Sequence, residues 1–479
     1  FGRIFQTHVL WAEETLPLAA AQQMLAGHAL YRDIWFDKPP GLAWFYAGVL
    51  EAAGYSGYGL RLIGALYVLL ISLAGYGLGR RLAGETAGRW TAFFLAFFLT
   101  FYIHSAVAPL AADLLMLLPH LAVFYFLAES WQADGAVAGW ASLAAGLCAG
   151  IAFQVNSKAL LVLLAAAGWI LLGSGRRGPA LLRLLAGFAA AAAAGMAVVW
   201  LSGGWTEYWQ EVWWWGARYA QAPLTGHPWA LGAVRTLDYF GFHVALLAGL
   251  AAWFWKSEAA RRQKRQMAWW LLVSLAGVAA GGRFFPRYYF QLLAPLAVCA
   301  AMGWAALAAG PRRVVALAAL AVMLALPAVR FGRVNALLAA RRSFAWRDVA
   351  MDADSRRAAR EVARRTKPND KIFVWGFRPE IYYYAQRIGA SRFLESQPLT
   401  GVLADRHLQS SEALWPAQAA RHREELARQL TAQPPAVLVD GLGPYNPALA
   451  MEKYPELAPV LARYRLVMVT RGTRIYGGK

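Results

Sequence analysis

Residues 104–127 read HSAVAPLAADLLMLLPHLAVFYFL, and this stretch decides the fold class. It is long and apolar enough for a helix that crosses a bilayer, which needs about 20 residues. Its single acidic residue is Asp113. Because an ionisable side chain at membrane depth is costly, Asp113 is a candidate functional residue. The structural alternative is a buried Asp that is satisfied by a neighbouring hydroxyl or amide.

The rest of the chain repeats this apolar pattern. Of its 479 residues, 59% are hydrophobic and 15% are charged, whereas about 25% are charged in an average soluble domain. This composition excludes a disordered chain and most soluble folds, and it favours a polytopic α-helical membrane protein. Ten runs without Lys or Arg are candidate spans: 62–79, 90–106, 110–128, 136–153, 159–173, 184–201, 239–255, 267–282, 289–309 and 314–329.

The Lys and Arg residues between these runs predict an orientation. If the run 62–79 points inward, the inner loops hold 13 of these cations and the short outer loops hold 5. Because cytoplasmic loops carry such an excess, residues 1–59 and the region from about 332 are expected on the outer face. The net charge of +20 then reflects inner-loop arginines and the tail, and we expect no nucleic-acid partner. No apolar span precedes Gly2, and we expect a preceding helix to make eleven spans.

Charge also divides the chain into parts. Of the 139 residues from 341 onward, 37 are charged, as many as in the 340 residues before them. We expect an outer-face segment over 1–59 with interfacial helices at 16–29 and 41–53, a transmembrane body over 60–331, and a soluble outer-face α/β domain over 332–479. In that domain the pattern predicts helices over 350–366, 379–387 and 416–430 and strands over 371–375, 436–440, 466–470 and 474–477, with some parallel pairing.

The outer segment contains two polar motifs. An acidic pair, Glu13 and Glu14, precedes an Ala-rich stretch, and the string YRDIWFDKPP follows over residues 31–40. The two prolines fix the backbone beside Lys38. One cation at the membrane surface is suited to a phosphate headgroup. For the acidic pair alone, two solvated side chains are the structural alternative.

Further cations occur on the expected outer face, against the orientation bias. Arg283 and Arg287 flank a proline in GGRFFPRYY, residues 281–289, and Lys158 ends QVNSK, residues 154–158. A lipid phosphate or an acidic side chain would neutralise them, and snorkelling to the interface is the alternative. The Trp-rich loop 202–238 is typical of an interfacial anchor, with a grip on a lipid-linked or sugar substrate as the other interpretation.

These motifs, in this order, resemble the GT-C superfamily of membrane glycosyltransferases. The similarity is to its family 39-like branch, which includes aminoarabinose transferases, protein O-mannosyltransferases and RgtA-type transferases. It implies a bacterial inner-membrane, multi-pass enzyme with its site facing the periplasm. It also implies transfer from a polyprenyl-phosphate-linked sugar to an acceptor on a lipid, glycan or protein, within membrane lipid.

The resemblance also assigns roles to residues. Glu13 falls on the family's first acid with Glu14 beside it, Asp113 on the acid of the second outer loop, and Lys38 on the lysine that holds the donor phosphate. The remaining candidates are Arg283, Arg287 and Lys158 for the phosphate and Tyr31, Asp37 and Tyr288 for the substrate. The implied reaction inverts the configuration of the sugar, with Glu13 as general base. Glu13 and Asp113 are also candidate ligands of a divalent metal (Mg, Mn or Zn).

Two other classes of protein remain open from the residues alone. A transporter or lipid flippase would use Asp113 as a coupling residue, and it predicts internal repeats and several buried acids, whereas we find one such acid and no repeat. A non-catalytic subunit of a membrane assembly would use Glu13 and Lys38 as anchors, and it predicts no binding of polyprenyl phosphate.

Overall fold

A computed structural model of the chain describes residues 2–130, 135–173, 176–222, 224–256, 261–342 and 346–479. The first two thirds are helical. The helices are α1 Ala12–Leu25, α2 Pro40–Ala53, α3 Gly57–Phe98, α4 His104–Val107, α5 Ala112–Leu115, α6 Leu117–Ser130, α7 Gly135–Val155, α8 Ala159–Leu172, α9 Arg177–Leu201, α10 Trp205–Tyr208, α11 Trp215–Gln221, α12 Pro228–Phe242, α13 Val244–Lys256, α14 Arg261–Ala279, α15 Phe290–Ala309 and α16 Arg313–Ala339. Each of the ten apolar runs lies largely within one or two of these helices, which confirms the polytopic helical class.

Helix α3 is a hairpin of two helices. Its backbone leaves the helical region at Ala83 and Gly84, where the φ of Gly84 is +84°. A Cβ added at Gly79 would lie 2.4 Å from the hydroxyl oxygen of Thr91, so the two halves pack at close range. Glycine is needed at the bend because L side chains rarely adopt a positive φ.

Among the described residues, five helices are long and apolar enough to cross a membrane. A sixth span arises if the bent pair α12 and α13 counts as one. The spans are α3, Ala112–Glu129, α9, Pro286–Ala309 and α16, and two shorter apolar helices are Gly139–Val155 and Ala159–Leu172. Helix α3 is one of these five helices, but it holds two of the apolar runs. The number of long helices is therefore not the number of membrane crossings, and ten crossings stay a prediction.

Close backbone approaches hold the body together. Helix α15 lies at its centre, packed against α3, α13 and α14, and is buried from Phe290 to Trp304. Helices α7 and α9 meet through small residues: a Cβ at Gly146 would lie 2.1 Å from the carbonyl oxygen of Leu184. Small residues let helix backbones approach closely. Such van der Waals packing holds helices together in lipid, where the hydrophobic effect does not drive them to associate.

The C-terminal region is the α/β unit that its sequence pattern predicts. Its helices are α17 Arg347–Arg365, α18 Glu380–Ala385, α19 Gln397–Thr400, α20 Pro416–Ala432 and α21 Ala458–Leu461, and its strands are β1 Lys371–Trp375, β2 Ile388–Gly389, β3 Val437–Asp440, β4 Tyr464–Val469 and β5 Arg474–Gly478. The sheet order is β2-β1-β3-β5-β4. Strand β1 pairs in parallel with β2 and β3, and β5 pairs antiparallel with β3 and β4.

Helix α1 joins the helical body to this domain. It packs against α2 on one side and against α18 and β2 on the other, and Leu16–Gln23 is buried. The Gln22 side chain donates to the carbonyl of Arg387 at 3.2 Å, and Gln23 accepts from the amide of Gly389 at 3.2 Å. We expected 16–29 to lie at the membrane surface. The structure encloses this helix in protein instead, because the C-terminal domain covers its outer face.

Candidate active site

Two connected cavities open where α1, the turn before α2 and the start of α15 meet. One encloses about 280 Å³ and is lined by residues from six separate parts of the sequence. The candidates that line it are Glu13, Asp37, Lys38, Asp113, Lys158, Arg283, Arg287 and Tyr288. The other, of about 230 Å³, shares Glu13, Lys38 and Arg287 and is lined on another side by residues of the C-terminal domain. The fold therefore brings together eight of the ten candidates from the sequence.

Arg287 links the two candidate acids. Its Nη1 lies 2.8 Å from Oε1 of Glu13, and its Nε lies 3.4 Å from Oδ2 of Asp113. The other carboxylate oxygen of Asp113 accepts from the Asn156 side chain at 3.2 Å. Asp113 is almost fully buried, whereas the Glu13 side chain remains 28% exposed. Glu13 is therefore the more accessible of the two carboxylates to a molecule in the cavity.

Lys38 sits on a turn whose shape its neighbours determine. Tyr31, held at φ +68°, donates its hydroxyl to the Lys38 carbonyl at 2.7 Å. The Lys38 ammonium donates to Asp37 at 2.9 Å and its side chain is 41% exposed. Burial lowers the pKa of Lys38, but the carboxylates of Asp37 and Glu13 outweigh it, so the pKa is raised and the charge is kept. A Cβ at Gly41 would lie 2.6 Å from the Gln154 carbonyl, which brings this turn against the 154–158 loop.

Lys158 is a second cation on the cavity wall. Its ammonium lies 2.9 Å from the centre of the Tyr288 ring and has no hydrogen-bond partner within the part of the chain that the structure describes. Burial lowers its pKa to about 8, partly offset by the carboxylate of Asp113. An anion in the cavity would relieve this burial cost, because a charged group loses less when it is paired.

The two arginines of the GGRFFPRYY segment have different surroundings. The Arg283 guanidinium is paired with Asp405, donates to the Ala222 carbonyl at 2.6 Å and lies over the Tyr219 ring at 3.7 Å. Its backbone carbonyl is held by Arg235 at 2.8 Å. Arg283 therefore ties the loop to the C-terminal domain, whereas Arg287 contacts the two acids.

Glu14 and Tyr31 are the candidates that do not line either cavity. We expected Glu14 among the catalytic residues. The structure instead buries it completely beside Arg61, with Nη–Oε distances of 2.6 and 2.8 Å, and its Oε2 also accepts from the Trp11 amide at 3.0 Å. Glu14 thus caps α1 and neutralises a buried arginine. Tyr31, expected to bind substrate, is buried and supports the Lys38 turn.

Several neighbours of the site were absent from the sequence-based candidates. Arg61 is an arginine at the expected outer end of a span, the same signal that drew attention to Arg283 and Arg287, and it could have been found that way. Asn156 stands two residues before Lys158. Tyr219 and Asp405 carry no local signal, because only the folded chain brings them to the cavity.

An arginine lies between the two carboxylates that we expected to bind a metal ion. Glu13 and Asp113 both contact Arg287, whose guanidinium takes the position between them. In the described part of the chain, no three His, Cys, Asp or Glu side chains are placed so that they could hold a metal ion. Two carboxylates that share one guanidinium are a poor donor set for a divalent cation, which would bring its own charge next to that of Arg287.

Part of the helical body matches a known family. Residues 37–202, about a third of the chain, match the family model described as dolichyl-phosphate-mannose-protein mannosyltransferase. No curated protein matches the chain in sequence. That family model begins at Asp37 and so includes Lys38, Asp113 and Lys158.

Solved structures share the fold over nearly the whole chain. ArnT from Cupriavidus metallidurans in the apo state superposes with a TM-score of 0.65 at 14% identity, covering 99% of this chain and 95% of that one. The same protein bound to undecaprenyl phosphate gives 0.62 at 15%, with the same coverage. The archaeal oligosaccharyltransferase AglB from Archaeoglobus fulgidus, with an inhibitory peptide and a dolichol-phosphate, gives 0.52 at 12%, covering 98% and 70%. The chain therefore shares the fold of these membrane proteins, and its residues 37–202 are similar to the mannosyltransferase family model.

Proposed function

We propose that the protein transfers a sugar from a polyprenyl-phosphate donor to a hydroxyl or phosphate group of a lipid, glycan or protein acceptor, with inversion at the sugar. One observation carries this proposal: the acids Glu13 and Asp113 share one cavity beside the membrane body with three cations remote from them in sequence, Lys38, Lys158 and Arg287. The relatives support the donor class, since the ArnT structure contains undecaprenyl phosphate and the AglB structure a dolichol-phosphate.

The cations suit the leaving group. When the bond between the sugar carbon and the phosphate oxygen breaks, the phosphate gains negative charge. Lys38 and Lys158 line the cavity and can neutralise that charge without protonating the oxygen. Lys38 is the more exposed of the two and lines both cavities, so we assign it the phosphate.

The acids suit the acceptor. Glu13 is within reach of the cavity and can take the proton of an acceptor hydroxyl as the hydroxyl oxygen bonds to the sugar carbon. Asp113 is held by Arg287 and Asn156 and would orient the acceptor. Attack on the face opposite the phosphate, in one displacement, gives the inverted sugar.

The same geometry gives the two acids a positive partner without a metal ion. We assign Arg287 the place that a divalent cation would take between Glu13 and Asp113. Its fixed positive charge lies between the two carboxylates, and its planar fork contacts both. The inner-loop excess of Lys and Arg supports a site on the periplasmic side of a bacterial inner membrane, with the C-terminal domain above it.

A turnover assay on the full chain tests this function. The purified protein in nanodiscs would be given undecaprenyl-phosphate-linked pentoses and hexoses, and released undecaprenyl phosphate would be measured by mass spectrometry. We expect release by the wild type, less release by Lys38→Ala, and unchanged release by Lys371→Ala, a lysine of β1 that donates to Gln433. Movement of the intact lipid-linked sugar across a proteoliposome membrane, with no release, would favour a flippase and overturn the proposal.

A further inference from the structure

A second and larger cavity lies outside the catalytic one. It encloses about 1000 Å³ between the segment 205–221 and helix α20 of the C-terminal domain. We call it the tryptophan cleft, because Trp209, Trp213, Trp214 and Trp215 form one wall. The opposite wall is polar and includes Arg421, His422 and Glu425. None of these residues belongs to the proposed catalytic set.

The tryptophan wall has an anchored side and an open side. Trp213 stacks on Phe153 of α7 at 5.7 Å between ring centres and donates to the Tyr208 hydroxyl at 2.9 Å. Trp209 and Trp214, in contrast, are 48% and 42% exposed. The segment Trp209–Trp214 is a π-helix, a rare form that occurs often at functional sites. Two partly exposed indoles thus line the cleft.

The chemistry of the two walls selects a ligand. An acyl chain would place the charged and polar side chains of the α20 wall against hydrocarbon, which is costly. A saccharide fits both walls, because the C–H faces of its rings stack on indoles while its hydroxyls bond to charged side chains. We propose that the tryptophan cleft binds the saccharide portion of the acceptor. This inference rests on the proposed function and narrows its acceptor class.

The position of the cleft supports this role. Trp215 lines both the cleft and the catalytic cavity, so the two are separated by one side chain. Glu211, on the cleft wall, is paired with Arg392 and accepts from the Phe36 amide at 2.8 Å. Arg392 also donates to the carbonyl of Tyr31, the residue that holds the Lys38 turn. A saccharide in the cleft would therefore lie beside the chain of contacts that positions the donor lysine.

The charged residues that line the cleft narrow the class of saccharide further. The cleft is lined by three arginines, Arg218, Arg392 and Arg421, and by two glutamates, Glu211 and Glu425. The guanidinium carbon of Arg218 lies 3.6 Å from the centre of the Trp214 ring, and Arg421 is exposed. The surplus cation favours neutral or acidic sugars over amino sugars.

An oligosaccharide-binding experiment tests the cleft separately from the donor site. The full chain in nanodiscs would be applied to an array of neutral, uronic-acid-containing and amino-sugar oligosaccharides, and its binding to undecaprenyl phosphate would be measured in parallel. The variant Trp209→Ala/Trp214→Ala removes both exposed rings. The matched control is Trp200→Ala, a 64% exposed tryptophan at the end of α9 that does not line the cleft.

We expect the wild type and the control to retain neutral and acidic oligosaccharides, and the double variant to bind them about tenfold more weakly, as the loss of two ring stacks would give. Undecaprenyl phosphate binding should stay within about twofold in all three proteins. Arg421→Glu should weaken binding of acidic sugars more than of neutral ones. Wild-type protein that retains no oligosaccharide, or a double variant that binds as the wild type does, would overturn the proposal. Failure of the wild type to bind undecaprenyl phosphate would instead count against the proposed function.

Discussion

Arg287 Nη1 lies 2.8 Å from Oε1 of Glu13, which joins the first turn of α1 to the segment that leads into α15. The two residues are 274 positions apart in the chain. The same guanidinium reaches Asp113, so one arginine connects the three parts of the sequence that supply the proposed acids and the cation between them.

Glu13→Gln should abolish transfer while leaving the protein folded. The amide keeps the shape of the side chain but cannot accept a proton, and loss of a general base costs about 100-fold or more in rate. Turnover of the lipid-linked donor would be followed beside thermal unfolding and undecaprenyl phosphate binding. Asp113→Asn is the companion variant, and full activity in both would contradict the mechanism.

Glu14→Gln should behave in the opposite way, although it is the adjacent residue. It leaves the buried Arg61 without its counter-charge, and breaking a buried ion pair costs about 3–5 kcal/mol. We expect a clear fall in melting temperature, measured in the same nanodiscs. Replacement of both partners, Glu14→Met with Arg61→Met, should recover part of the loss because no unpaired charge then remains. A melting temperature equal to that of Glu13→Gln would contradict a structural role for Glu14.

Binding of undecaprenyl phosphate should weaken as the pH rises through about 8. Burial lowers the pKa of Lys158 to about 8 from 10.5, so the ammonium loses its charge in that range, beside Asp113, Arg287 and Tyr288. Between these two values the unfolded chain binds a proton that the folded chain does not, so stability should rise with pH there. Affinity measured from pH 7.5 to 9.5 would show the first effect, and Lys158→Met should flatten the profile. An unaltered profile in that variant would assign the titration to another group.

Removal of divalent metal should leave turnover unchanged, because Arg287 takes the position between the two acids that a metal would need. Protein dialysed against EDTA would be compared with samples given Mg²⁺, Mn²⁺ or Zn²⁺. Arg287→Ala should lose activity, since Glu13 and Asp113 then lose their shared counter-charge. If a divalent metal restored the turnover of this variant, or if EDTA abolished the turnover of the wild type, a metal would be part of the site.

Much of the secondary structure of this protein is determined by local features of its sequence. The apolar runs become helices and the pattern of the tail becomes the observed strands, because hydrophobic length and alternation act over neighbouring residues. The proline pair at residues 39 and 40 likewise starts α2 where the motif indicates. The polar motifs of the first 40 residues are local as well, and they carry the resemblance to the GT-C superfamily.

Only the tertiary structure distinguishes residues that look alike in the sequence. Glu13 and Glu14 are adjacent, but successive residues point about 100° apart on a helix, so one lines the cavity and the other meets Arg61. Arg283 and Arg287 differ in the same way. Partners such as Asp405, and the tryptophan cleft between 205–221 and α20, depend on how the C-terminal domain packs on the body. Contacts between segments hundreds of residues apart have no local signal, because they are decided by packing and not by the hydrophobic pattern of either segment.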